Sequence, residues 1–197
     1  MEKRIFFTCG GMQLAGLFHP GGEKGAVVTH PHPLYGGDMH NVVVEALVLA
    51  YQRKGFATLR FDFRGTGRSE GTHDNGVGER EDVLAALAFL AEKGVRRFDL
   101  AGYSFGAWVN ARIGCPDLHR MIMVSPPVNF LDFGDVGPIP CLDLVVVGDD
   151  DDFAAADRVQ RMTAAWNPDA RCTVIPDTDH FYSGAIRELD DVLNKCI

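Results

Sequence analysis

No apolar run in this chain is long enough to cross a bilayer, and the hydrophobic stretch after Met1-Glu2-Lys3-Arg4 ends at Thr8, too short for a secretory signal. Basic residues are in short supply. The 19 Lys plus Arg stand against 27 Asp plus Glu, a net charge of −8, which argues against nucleic acid or membrane as a partner and mostly serves solubility. Metal-binding cysteine spacing is missing as well. Cys9, Cys115, Cys141, Cys172 and Cys196 are scattered, odd in number and without C-x-x-C, so neither a zinc site nor a disulfide framework is indicated. Reduced thiols in a cytoplasmic protein are the expectation. There is no internal repeat and no low-complexity tract. With 197 residues and 46% apolar content the chain can build one substantial core, and a single domain over residues 1–197 is expected.

What is there alternates between strand and helix signals. Ile5 to Thr8 and Met12 to Phe18, separated by Gly10-Gly11, read as an opening hairpin. Strands follow at Ala26 to Thr29, Ala57 to Phe61, Phe98 to Ala101, Met121 to Val124, Leu142 to Val147 and Cys172 to Ile175. Helices are expected over Asn41 to Lys54 and Glu79 to Glu92, with others starting near Ala107, Phe153 and Phe181. Alternation of this kind means an α/β protein with a mostly parallel sheet covered on both faces. Ser125 to Pro140 is the longest irregular connection, too short for a separate lid domain.

Between the fifth of these β-runs, Phe98 to Ala101, and the helix after it lies Gly102-Tyr103-Ser104-Phe105-Gly106, which reads G-x-S-x-G. In a strand-turn-helix context this is a nucleophile elbow: a tight turn that presents the serine and tolerates no side chain two residues to either side. The turn also aims the Phe105 N–H and the positive end of the following helix at the space where an oxyanion would form. A helix-capping serine is the bland alternative. The partners decide between the two. For this elbow the chain order is serine, acid, histidine. His180, in Asp177-Thr178-Asp179-His180-Phe181, lies beyond a strand end, whereas His119 precedes the acidic run and is excluded by order. The acid must come from Asp149-Asp150-Asp151-Asp152, most of which are solvated charges. Loop geometry favours Asp151, with Asp149 second.

Two further loops follow strands, where ligands bind in open α/β sheets. In His30-Pro31-His32-Pro33-Leu34-Tyr35-Gly36-Gly37 the prolines have no N–H, so His32 is the candidate second oxyanion donor, with Leu34 behind it. The histidines here, with His40, also invite a metal reading, but the prolines restrict how their side chains converge and no metal is expected. Asp62-Phe63-Arg64-Gly65-Thr66-Gly67-Arg68-Ser69 lacks the third glycine of a dinucleotide loop and does not open a helix, so it reads as a tight turn.

Taken together, the elbow, the His30-Pro31-His32-Pro33 loop, the Asp62-x-Arg64-Gly65-x-Gly67-x-Ser69 loop, Gly148-x-x-Asp151 and Asp179-His180-Phe181 resemble the α/β-hydrolase superfamily over nearly the whole chain. The nearer likeness is to small lidless bacterial hydrolases related to dienelactone hydrolases and cocaine-esterase-like proteins. The resemblance implies a central eight-stranded sheet whose second strand is antiparallel. It also implies Ser104, Asp151 and His180 as nucleophile, acid and base, and the N–H groups of Phe105 and His32 as oxyanion donors. Pro31 stands where relatives carry glycine, and Ser104 stands where dienelactone hydrolases carry cysteine.

The expected activity is that of a serine esterase or thioesterase on a small acyl substrate, without cofactor, as a monomer or homodimer. A small peptidase or amidase would use the same residues. A non-catalytic binding module is the reading of another class. Tyr35, Phe105, Phe130, Phe133 and Phe181 are candidates to line the pocket.

Overall fold

The computed structural model describes residues 1–115 and 117–197. Its hairpin, β1 (Lys3–Cys9) and β2 (Met12–His19), is followed by β3 (Lys24–Thr29), α1 (Val42–Arg53), β4 (Ala57–Phe61), α2 (Val77–Glu92) and β5 (Arg97–Tyr103). Then come α3 (Phe105–Ile113), β6 (Leu118–Val124), β7 (Leu142–Gly148), α4 (Ala156–Trp166), β8 (Arg171–Ile175) and α5 (Ile186–Cys196). The strands form one eight-stranded sheet in the order β1-β2-β4-β3-β5-β6-β7-β8. β2 is antiparallel to both its neighbours, and every pair from β4 to β8 is parallel.

The continuous apolar runs of the central strands follow from burial on both faces. Val27, Leu100, Met121, Met123, Val145 and Val147 point into the core under α2, α3 and α4. The residues alternating with them, Val28, Ala101, Ile122, Val124, Leu144 and Val146, point into the core under α1 and α5. From β3 the chain crosses to β4 on one side and returns through α2 to β5 on the other, so the direction of winding reverses between β3 and β5. That reversal opens a crevice at the carboxyl ends of these two strands. The elbow and the His30–Pro33 loop both begin there.

Two helices start later than their sequence signals. The helix expected near Phe153 begins at Ala156, because Asp151 Oδ1 accepts the N–H groups of Phe153 (3.0 Å) and Ala154 (2.8 Å) and holds that stretch as a turn. The one expected near Phe181 begins at Ile186, after Tyr182 and Gly184 adopt left-handed φ values of 56° and 80°. The helix expected near Ala107 begins two residues earlier, at Phe105.

The expectation of reduced thiols is corrected. Cys115 and Cys141 form a disulfide, 26 residues apart in sequence. Cys115 lies on the approach to β6 and Cys141 immediately before β7, and the pairing of these strands brings the two together. Cys9, Cys172 and Cys196 are free, and burial pushes the Cys9 thiol up to about 11. Among the described residues no helix is long and apolar enough to cross a membrane.

Candidate active site

Ser104 stands between β5 and α3 at φ 53° and ψ −117°, a conformation that costs a non-glycine residue about 1–3 kcal/mol. The surroundings hold it there. A Cβ on Gly106 would lie 2.7 Å from the Thr29 carbonyl oxygen and 2.8 Å from that of His30; one on Gly102 would lie 2.5 Å from Asn110 Nδ2. Because both glycines lack a side chain, the end of β3 can press against the elbow. Asn110 Nδ2 then donates to Thr29 Oγ1 (3.0 Å), which donates to the Ala101 carbonyl (3.2 Å). The strain at Ser104 is thus carried by contacts from β3, β5 and α3.

His180 reaches the serine from the loop after β8. Its Nε2 lies 2.9 Å from Ser104 Oγ, and its Nδ1 lies 2.8 Å from each carboxylate oxygen of Asp151. The loops bearing Asp151 and His180 touch through a close backbone approach, since a Cβ on Gly148 would fall 2.0 Å from the Thr178 carbonyl oxygen. Asp151 is the only buried member of its run; Asp149, Asp150 and Asp152 face solvent, and Asp149 Oδ1 accepts the Thr178 N–H at 3.3 Å. A buried carboxylate needs compensating donors. Asp151 has the Phe153 and Ala154 N–H groups and the His180 ring, which fixes Nδ1 as the protonated nitrogen and leaves Nε2 to accept from Ser104. The arrangement can move a proton off Ser104 and stabilise the imidazolium that results.

The Phe105 N–H is the first of α3 and has no intrahelical acceptor. Neither it nor the His32 N–H donates to a protein atom among the described residues. The His32 ring caps a short 3-10 turn, Pro33–Tyr35, by accepting the Leu34 N–H at 3.2 Å, and burial, then the nearby His73, lower its pKa. His30 serves the scaffold. Its Nδ1 donates to the Pro31 carbonyl (2.7 Å) and its Nε2 accepts the Phe63 N–H (3.0 Å), latching the loop after β3 to the loop after β4. Among the described residues no three His, Cys, Asp or Glu side chains are grouped to hold a metal ion.

Ser104 and His180 open into a cavity of about 380 Å³. Tyr35, Phe105, Phe130 and Phe181 line it, but Phe133 does not: it is buried against Trp166, with ring centroids 5.3 Å apart. Sequence reasoning missed Tyr103 and Phe153. The Tyr103 hydroxyl donates to the His180 carbonyl at 2.8 Å, steadying the histidine loop, and burial keeps the phenol protonated. Its position beside Ser104 was the available signal. Phe153 packs against the His180 ring, centroids 4.8 Å apart and tilted by 44°; reading it as a helix start hid that contact.

A mostly parallel sheet with one antiparallel strand, a serine on a strained turn and a histidine-carboxylate pair on the following loops define the α/β-hydrolase class. The model of the alpha/beta hydrolase family matches residues 26–140, and the chain belongs to that family. It is similar to the uncharacterised protein RP471 of Rickettsia prowazekii, at 34% identity over 181 residues, covering 86% of this chain and 76% of that one. A second relative, N-formylmaleamate deformylase of Pseudomonas putida, is 32% identical over 126 residues, covering 57% of this chain and 47% of its own length. Among solved structures, a lidless α/β serine hydrolase of Xanthomonas campestris superposes with a TM-score of 0.90 at 29% identity, covering 98% of this chain and 92% of that one.

Proposed function

We propose that the protein is a serine hydrolase that cleaves small carboxylic esters or thioesters through an acyl-enzyme on Ser104. The observation that carries this is the unbroken series Ser104 Oγ, His180 Nε2, His180 Nδ1 and Asp151 carboxylate, at 2.9 and 2.8 Å, on the floor of an open cavity. His180 takes the hydroxyl proton as Oγ attacks the carbonyl carbon. The oxyanion faces the N–H groups of Phe105 and His32, each worth about 3 kcal/mol in such a place. Collapse breaks the bond to the leaving oxygen or sulfur, which receives the proton from His180. Water then repeats the sequence and releases the acid. No step calls for a cofactor.

The deformylase among the relatives supports a second reading, hydrolysis of a C–N bond by the same residues. The first experiment is intact mass after exposure to a small fluorophosphonate. One adduct on the parent, none on Ser104→Ala and strongly slowed labelling of His180→Ala are expected. Folded parent protein without an adduct would overturn the proposal and favour a binding role. An ester, thioester and amide panel then separates the two hydrolytic readings.

A further inference from the structure

We infer that the cavity selects uncharged esters carrying one aromatic group beside the scissile carbonyl, and rejects substrates bearing a carboxylate or phosphate there. This rests on the reading of Ser104 as nucleophile. Four connections of the sheet each contribute one ring to the wall: Tyr35 after β3, Phe130 after β6, Phe153 after β7 and Phe181 after β8. The rings meet edge to face in sequence, with centroids 5.9 Å apart for Tyr35 and Phe130, 5.7 Å for Phe130 and Phe153, and 6.2 Å for Phe153 and Phe181. Their exposures are 74%, 49%, 37% and 63%, so each still presents a face or an edge to whatever enters. A continuous arc of such rings beside the nucleophile is complementary to another planar ring, which gains edge and face contacts while surrendering few rotors.

Volume and charge narrow the class further. At about 380 Å³ the cavity lies at the small end for ligand sites, enough for an aryl group and its ester but not for enclosing a long acyl chain. Among the described residues no Lys, Arg, Asp or Glu lines it. The nearby charges are mostly acidic: Asp149, Asp150 and Asp152 project from the loop before Phe153, and Asp179 precedes His180. Arg158 bonds Asn129 Oδ1 at 3.3 Å and does not reach the lining. A substrate anion would lose its hydration in the cavity and find no cation to replace it. The carboxylate product meets the same environment, which favours its departure.

Steady-state kinetics on methyl phenylacetate, methyl butyrate and methyl (para-carboxyphenyl)acetate test this. The phenyl ester should exceed butyrate in kcat/KM by about tenfold, since two or three ring contacts are gained. It should exceed the carboxyphenyl ester by about a hundredfold, the penalty for an unpaired buried charge. Phe130→Arg, at a half-exposed position that tolerates polarity, should move the phenyl-to-carboxyphenyl ratio at least about tenfold toward the anion. Phe130→Leu, which keeps apolar bulk, should lower the phenyl-to-butyrate ratio by about threefold. Equal rates on all three esters, or preference for the carboxylate, would overturn the inference while stoichiometric fluorophosphonate labelling left the serine hydrolase standing. Absence of labelling would remove both.

Discussion

Ser104 holds a backbone conformation that an isolated serine would abandon, and the contacts that keep it there are absences of side chain at Gly102 and Gly106. Asp151 shows the same economy. Asp151 both caps the Phe153–Ala154 turn and orients His180, so its two functions are separable by one substitution. Asp151→Asn retains an oxygen for the two N–H groups but turns an amide N–H toward the imidazole, favouring the wrong tautomer. Hydrolysis should fall by about 10⁴-fold while the urea midpoint moves little; a loss under tenfold would remove Asp151 from the proton relay. His30 predicts a pH effect unrelated to chemistry. Burial lowers its pKa to about 4 in the folded protein, against about 6.5 in the unfolded chain. Between these values the unfolded state binds more protons, so folding stability is complete above pH 6.5 and declines toward pH 4, by about 3 kcal/mol in all. Urea titrations from pH 7.5 to 4.5 should show that loss, and NMR should find the His30 ring neutral at pH 5. These residue roles differed in how openly the sequence carried them. Ser104 and His180 stood out as candidates because elbow and chain order name them, whereas the burial that separates Asp151 from Asp149 depends on the touch between Gly148 and Thr178, thirty positions apart in sequence.

At the level of elements, strands were more legible than the helices that follow the site loops. A strand buried on both faces declares itself as an apolar run, and Ala57–Phe61 has the same limits in sequence and structure. The starts expected near Phe153 and Phe181 came too early, because the Asp151 turn and the left-handed residues Tyr182 and Gly184 delay α4 and α5 and leave both rings on the cavity. The disulfide was illegible for a topological reason: Cys115 and Cys141 become neighbours only once β6 and β7 pair. It encloses the segment 125–140, whose Phe130 and Leu131 form one cavity wall. That segment is also held by Trp108 Nε1, which donates to the Asp132 carbonyl at 2.7 Å, and by Phe133 on Trp166. Cys115→Ser with Cys141→Ser should therefore lower stability by about 2–4 kcal/mol without unfolding the wall at room temperature. Chemical denaturation of the double variant, beside the reduced parent, checks this. Coincident curves for oxidised and reduced parent would mean that the bond contributes nothing to stability.

For the whole molecule the relevant quantity is the field at the cavity mouth. The chain carries −8, and the loops bearing Asp149, Asp150, Asp152 and Asp179 concentrate part of that charge at the carboxyl edge of the sheet, where the cavity opens. Among the described residues no ammonium or guanidinium group lines the cavity to offset it. An approaching anion therefore meets repulsion over a distance set by salt, and the Debye length shrinks from about 30 Å at 0.01 M to about 3 Å at 1 M. A neutral ester experiences none of this. For an anionic ester kcat/KM should rise about threefold or more over that range, while for its uncharged counterpart the change should stay within the effect of salt on the apolar cavity itself. Screening acts on the approach, whereas the loss of hydration inside the cavity does not respond to salt. The residual preference for the neutral ester at 1 M thus measures the lining alone, and the difference between low and high salt measures the rim. Anionic and neutral esters with the same salt dependence would show that the acidic loops do not govern entry.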